Sequence, residues 1–198
     1  MPKSFTARLV AVLSLLLAVA IGIYALAQHG RGGPAATGTP SIGGGFALTD
    51  QSGKPRTDAE FRGKLMLVYF GFTHCPDVCP LALQKMTDAL GALGDRAKDV
   101  VPIFITVDPA RDTVDAMRDY ASHFHPSLVA LTGDQAAIDA VAKAYRVYVA
   151  AGDATGAADY NVSHSSIVYL MGRDGGYVTH FGEAASADDM AQRLAKEL

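Results

Sequence analysis

The chain has 198 residues, with 17 Lys plus Arg against 20 Asp plus Glu, 49% hydrophobic residues, no Trp and two Cys. That length and balance suit one ordinary globular domain with something appended. A net charge of -3 with no run of Lys or Arg argues against nucleic-acid binding, and two cysteines cannot make a disulfide scaffold, so their interest is chemical.

From Leu9 to Ala27 the chain carries no charge and is mostly Leu, Val, Ala and Ile, with Lys3 and Arg8 before it. As a helix this run spans roughly 28 Å, close to the hydrocarbon thickness of a bilayer. Basic residues on the short amino-terminal side predict an N-in orientation. Ala25-Leu26-Ala27 resembles a signal-peptidase site, but the apolar run is longer than a cleaved signal usually needs, which favours a retained anchor. Residues 1–27 are therefore expected to be a membrane anchor or uncleaved signal, single-pass in a bacterial inner membrane with the following domain in the periplasm. Residues 28–45 are Gly, Pro, Ala and Thr with little to bury, and read as a flexible linker. Taking away residues 1–27 removes two basic and no acidic groups, so the remainder carries -5.

Residues 46–198 alternate strand and helix signals. Phe46-Ala47-Leu48 predicts a short strand, with Asp50 and Gly53 supplying the turn. The apolar run Leu65–Phe72 predicts a central strand buried on both faces. After Pro80 the spacing of Leu81, Leu83, Met86, Leu90 and Leu93 predicts an amphipathic helix stopped by Gly94. Val100–Val107 is a second buried strand, and Asp112 or Thr113 caps a helix turning Val114, Met117, Tyr120, Ala121 and Phe124 inward. Leu128–Leu131 is a short strand, and Asp134 opens a helix with Ile138, Val141, Ala142 and Tyr145 on one face. Ser166–Met171 and Gly176–Phe181 flank Gly172-Arg173-Asp174-Gly175, a hairpin signal. Ser186-Ala187-Asp188-Asp189 is a capping box with Asp in place of Glu, opening a last helix. The pattern predicts a mixed sheet flanked by helices.

Cys75 and Cys79 lie where the buried strand gives way to a helix, in Gly71-Phe72-Thr73-His74-Cys75-Pro76-Asp77-Val78-Cys79-Pro80. The amino-terminal end of a helix favours thiolate over thiol, so the pair is expected to be chemically poised. Spacing of i and i+4 would set both sulfurs on one side of a helical turn, able to oxidise together or to grip one soft ion. Zinc ordinarily needs four ligands, whereas two thiolates and one imidazole suit Cu(I). A structural disulfide here would close only a short loop and stabilise little.

Four stretches in order now resemble the Sco/SenC/PrrC family of membrane-tethered, thioredoxin-like copper proteins that serve cytochrome c oxidase assembly. They are Cys75-Pro76-Asp77-Val78-Cys79-Pro80, Val107-Asp108-Pro109-Ala110-Arg111-Asp112-Thr113, Asp159-Tyr160-Asn161-Val162-Ser163-His164-Ser165, and Tyr169-Leu170-Met171-Gly172-Arg173-Asp174-Gly175. The resemblance implies an α/β, thioredoxin-like fold behind the N-terminal transmembrane helix. It implies Cys75, Cys79 and His164 as ligands for copper, as Cu(I) and in some states Cu(II). It implies a docking or supporting role for Asp77, and it leaves Asp108 and Arg111 as neighbours of the site. Ser163 stands where many members carry an Asp, so no side-chain carboxylate is expected to orient His164, which would be exposed or mobile without copper. His74 adjoins Cys75, but strand alternation turns it away, so it reads as a weaker ligand candidate, while His123, His125 and His180 read as surface residues.

Two functions follow. One is a metallochaperone handing copper to the binuclear copper-site subunit of cytochrome c oxidase. The other is a thiol-disulfide reductase acting on the cysteines of that site, with Cys75 the first candidate nucleophile. Other copper carriers or thiol reductants are expected partners, and the N-terminal helix a membrane contact.

Overall fold

The computed structural model describes residues 42–151, 160 and 162–198. The apolar segment 9–27 lies outside the described residues, as does most of the linker, and no helix among the described residues is long and apolar enough to cross a membrane. At the linker's end the chain is already against the domain. Ile42 packs on the core, and the Gly43 amide donates to the Ala144 carbonyl at 3.0 Å.

The elements run β1 (Ala47–Asp50), β2 (Pro55–Thr57), β3 (Leu65–Gly71), α1 (Val78–Leu93), β4 (Val100–Thr106), α2 (Val114–Ala121), β5 (Val129–Thr132), α3 (Gln135–Ala144), β6 (Val149–Ala151), β7 (Val162–His164), β8 (Val168–Met171), β9 (Tyr177–Phe181) and α4 (Ala187–Glu197). Seven strands form one sheet in the order β2-β1-β5-β4-β3-β8-β9, and β6 with β7 form a separate two-stranded ribbon. Strands β3, β4 and β5 are parallel, while β8 runs antiparallel to β3 and β1 to β5. All seven residues of β3 are buried, as a strand covered on both faces requires.

Local chemistry explains most boundaries. The Asp50 carboxylate accepts the amides of Ser52 (2.8 Å) and Lys54 (3.0 Å), and Gly53 takes φ +81°, which together turn β1 into β2. Helix α1 stops at Gly94, with φ 55°. Thr113, not Asp112, caps α2, its hydroxyl accepting from the Ala116 amide. That frees the Asp112 side chain for another task.

Three expectations need correction. Leu81 is 54% exposed, because the buried stripe of α1 runs through Cys79, Leu83 and Met86 and a residue two positions from each neighbour projects away from it. Phe124 follows the end of α2, where it packs edge-on against Tyr120 at 5.2 Å. Strands β2, β6 and β7 have three residues each, too short for an alternating pattern to reveal.

The capping box of α4 forms as its sequence predicts: Ser186 Oγ accepts from the Asp189 amide (3.1 Å), and the Asp189 carboxylate accepts from the Ser186 amide (2.9 Å). Ser186→Ala should lower stability by about 1 kcal/mol. In a thermal melt this corresponds to a loss of about 2–4 °C for a chain of this size.

Candidate metal centre

Parallel β3 and β4 end side by side, and the chain beyond their carboxyl ends builds the site, the place where open α/β sheets present ligands. The first brace is Asp112, fully buried in the turn between β4 and α2. Its carboxylate accepts from the Thr73 hydroxyl (2.6 Å), the Thr73 amide (3.1 Å) and the Thr106 hydroxyl (2.5 Å). Burial holds its carboxyl above the usual carboxylate range, although these donors work against that rise. The loop leaving β3 is thereby tied to the loop leaving β4.

Cys75 lies in that tied loop, its amide donating to the Phe72 carbonyl at 3.2 Å. Helix α1 begins only at Val78, so Cys75 precedes the helix and Cys79 occupies its first turn. The i, i+4 placement on one helical turn is therefore replaced by a loop that folds back. The Cys79 amide donates to Cys75 Sγ at 3.4 Å, using one of the unpaired N–H groups of the helix end. Both cysteines are free thiols. Both are buried, but their environments differ: Cys75, 8% exposed, lines an open cleft with Phe72, Pro76, Asp77, Ser163 and His164, whereas Cys79 is 0% exposed. Burial pushes the Cys79 thiol up to about 12, against the expectation of a thiolate favoured by the helix dipole. At this position desolvation outweighs the dipole.

His164 ends β7, which is held against β6 by the pairing of Val149 with His164. Its Nε2 lies 3.3 Å from Cys79 Sγ and its Nδ1 3.2 Å from the Ser165 carbonyl. A carbonyl only accepts, so Nδ1 carries the proton and the Nε2 lone pair faces the cysteine. Burial lowers the His164 pKa, which keeps the ring neutral at neutral pH. The ring meets Tyr69 at 6.1 Å and Phe72 at 5.9 Å, both edge to face. The expected loose histidine is thus corrected: a backbone carbonyl and two aromatic rings orient it where Ser163 offers no carboxylate.

Cys75, Cys79 and His164 present their ligand atoms within 4.8 Å of one another, and among the described residues no other His, Cys, Asp or Glu group converges in this way. Two sulfurs and one neutral imidazole form a soft, three-donor set open to the cleft, which matches Cu(I) better than an ion that demands four ligands or oxygen.

The remaining candidates take different places. Asp77 is exposed at the cleft mouth. Buried Asp108 and partly buried Arg111 form an ion pair, and Tyr160 donates its hydroxyl to Asp108 at 2.6 Å. The Arg111 guanidinium lies 3.8 Å from the Tyr160 ring centre and 5.6 Å from that of Phe72, so this pair backs the ring that packs on His164. Asp159 and Asn161 of the same motif lie outside the described residues. His74 is exposed and turned toward the Thr73 hydroxyl, while His123, His125 and His180 stand outside the cluster. Sequence reasoning missed Asp112 and Tyr69 as parts of the site. In the sequence Asp112 has the look of a helix cap beside Thr113, and Tyr69 is one residue of an unbroken apolar strand.

Fold and site define a thioredoxin-like α/β domain carrying a Cys–Cys–His cluster able to hold one soft metal ion. The SCO1/SenC family model matches residues 34–198. The human protein SCO1 homolog, mitochondrial, is 42% identical over 163 residues, covering 81% of this chain and 54% of its own length. The chain thus spans about half the length of that relative. Among solved structures, copper-bound ScoI of Bradyrhizobium japonicum is 44% identical with a TM-score of 0.74, covering 80% of this chain and 100% of its own. Copper-bound yeast Sco1 is 36% identical, also at 0.74, covering 79% and 88%. The chain belongs to the SCO1/SenC family.

In the metal-free reduced protein, alkylation at pH 6–9 should modify Cys75 well ahead of Cys79, because Cys79 is buried and held as a thiol. Peptide mass spectrometry of a time course reads the order directly. Equal rates would show that Cys79 is neither shielded nor protonated as described.

Proposed function

We propose that this protein is a copper metallochaperone, holding Cu(I) through Cys75, Cys79 and His164 and passing it to the binuclear copper site of cytochrome c oxidase during assembly. The observation that carries this is the convergence of two free thiols and a neutral, lone-pair-presenting imidazole within 4.8 Å. Support comes from family relatives whose solved structures hold copper. Cu(II) is a further state of the same site. Handover asks for affinity without enclosure. Two of the three donors, Cys75 and His164, line an open cleft, which leaves a side from which an acceptor's ligands can approach, and exposed Asp77 at its mouth supports a docking role there.

The domain is proposed to work in the periplasm, anchored in the inner membrane through residues 9–27 and given reach by residues 28–45, both read from sequence. Oxidation of Cys75 and Cys79 to a disulfide would remove both thiolate ligands, so the same pair makes loading depend on redox state.

An anaerobic Cu(I) titration of the reduced protein against a competing chelator tests the ligand set. One equivalent should bind tightly, and His164→Ala and Cys75→Ala should each weaken binding by at least about tenfold. Binding that is weak and indifferent to His164→Ala would move the function to thiol-disulfide exchange. The pH dependence has a definite sign. His164 is already neutral at neutral pH, whereas Cys79 must lose its proton to bind metal. Affinity should therefore rise between pH 6.5 and 8, by about tenfold per pH unit for each thiol proton released.

A further inference from the structure

Tyr69 lies in the middle of β3 and is 0% exposed. Its ring stacks on Phe104 at 6.4 Å and meets the edge of His164 at 6.1 Å. Residues 69 and 71 share one face of the strand. A Cβ placed on Gly71 would come within 2.8 Å of Cys79 Sγ and 3.1 Å of the Tyr69 ring, so sulfur and phenol flank the same small gap. The Tyr69 hydroxyl is buried and has no partner in good hydrogen-bond geometry. The polar groups acting on it are Cys79 and the Ser166 hydroxyl. Buried tyrosine hydroxyls normally find a partner, and one that does not asks for an explanation.

We propose that Tyr69 is a positioning residue of the metal centre, its hydroxyl donating a hydrogen bond to Cys79 Sγ when that sulfur carries negative charge, while Ser166 donates to the phenol oxygen. Sulfur in a disulfide is a poor acceptor, a thiol a weak one and a thiolate a strong one. The contact is therefore worth most in the metal-loaded state. In the reduced metal-free structure the bond is not made; Cys79 Sγ lies 3.3 Å from the His164 Nε2 lone pair, which can take the S–H, so a small approach of the Tyr69 hydroxyl forms the contact at a lower gain. A phenol keeps its proton through the working pH range, so the Tyr69 hydroxyl is available as a donor. Donation to a copper-bound thiolate withdraws electron density from sulfur, which favours Cu(I) over Cu(II) and moves the sulfur-to-Cu(II) charge-transfer band to higher energy.

The copper part of this inference rests on the proposed function, and the metal-free part does not. The test uses the full chain with Tyr69→Phe, which keeps the ring, and Ser166→Ala. In the metal-free protein, dithiothreitol supplies the two electrons and two protons that convert the Cys75–Cys79 disulfide into two thiols. Against that buffer, Tyr69→Phe should disfavour the reduced pair by about threefold, equivalent to about 14 mV. Ser166→Ala should shift it in the same direction by less. With Cu(II) as probe, the charge-transfer band of Tyr69→Phe should move to lower energy, and its Cu(I) affinity should fall by about tenfold. A merely structural tyrosine would alter the melting temperature and leave the thiol equilibrium in place. An unchanged equilibrium in a folded Tyr69→Phe protein would overturn the proposal. Should the parent take up no copper, the chaperone function fails by itself, and the metal-free equilibrium alone decides the role of Tyr69.

Discussion

The buried carboxylate of Asp112 is the constraint on which the site depends. It collects the hydroxyls of Thr73 and Thr106 and the Thr73 amide, while its own carbonyl accepts from the Thr132 hydroxyl at 2.8 Å. One residue thus ties together the ends of β3, β4 and β5. A buried charge is tolerated only when its hydrogen-bonding capacity is met, and Asp112 meets it with groups whose positions matter to function. Because Thr73 is so held, the next residues can leave the sheet and double back, setting Cys75 beneath the first amide groups of α1. The geometry of the cysteine pair follows from a carboxylate that touches neither sulfur.

Electrostatics at the pair are divided by burial. A helix amino terminus favours negative charge by its unpaired N–H groups, and one of these does reach Cys75 Sγ. Cys79 sits closer still to the helix but is sealed beneath Tyr69, Phe72 and His164, and loss of water costs its thiolate more than the dipole returns. The result is one sulfur at the cleft and one held in reserve behind it. A histidine already stripped of its proton by the same burial completes the set, so only thiol protons oppose metal entry.

Much of this was legible in the sequence, for identifiable reasons. The continuous apolar runs of β3 and β4 state that both faces of those strands are covered, and the register confirms their parallel pairing from Leu65 against Val100 to Gly71 against Thr106. Ser186 to Asp189 and Gly94 specify their helix ends through local chemistry that tertiary context leaves intact. Cys75, Cys79 and His164 were legible as candidates because their residue types are rare and their motifs specific. Less legible was anything set by contacts distant in sequence. Asp112 looks like a helix cap beside Thr113, and only the fold brings Thr73 to it from 39 positions away. The thiolate expectation failed at Cys79 because position along a helix can be counted, whereas depth beneath a sheet cannot.

The same separation explains how a binding site can be both secure and open. The sulfur of Cys79 and the ring of His164 are fixed by the core, through aromatic contacts and a backbone carbonyl that need no metal to form. An ion entering this site therefore meets two donors already in place, and little ordering remains to be done on binding. Cys75 and His164 line the cleft with Asp77 at its mouth, so this side of an ion stays open while Cys79 backs it from the core. A fully enclosed four-ligand site would gain affinity and lose that route of exit. One donor sealed in the core and two in the cleft wall are an arrangement that can hold a small ion firmly without enclosing it.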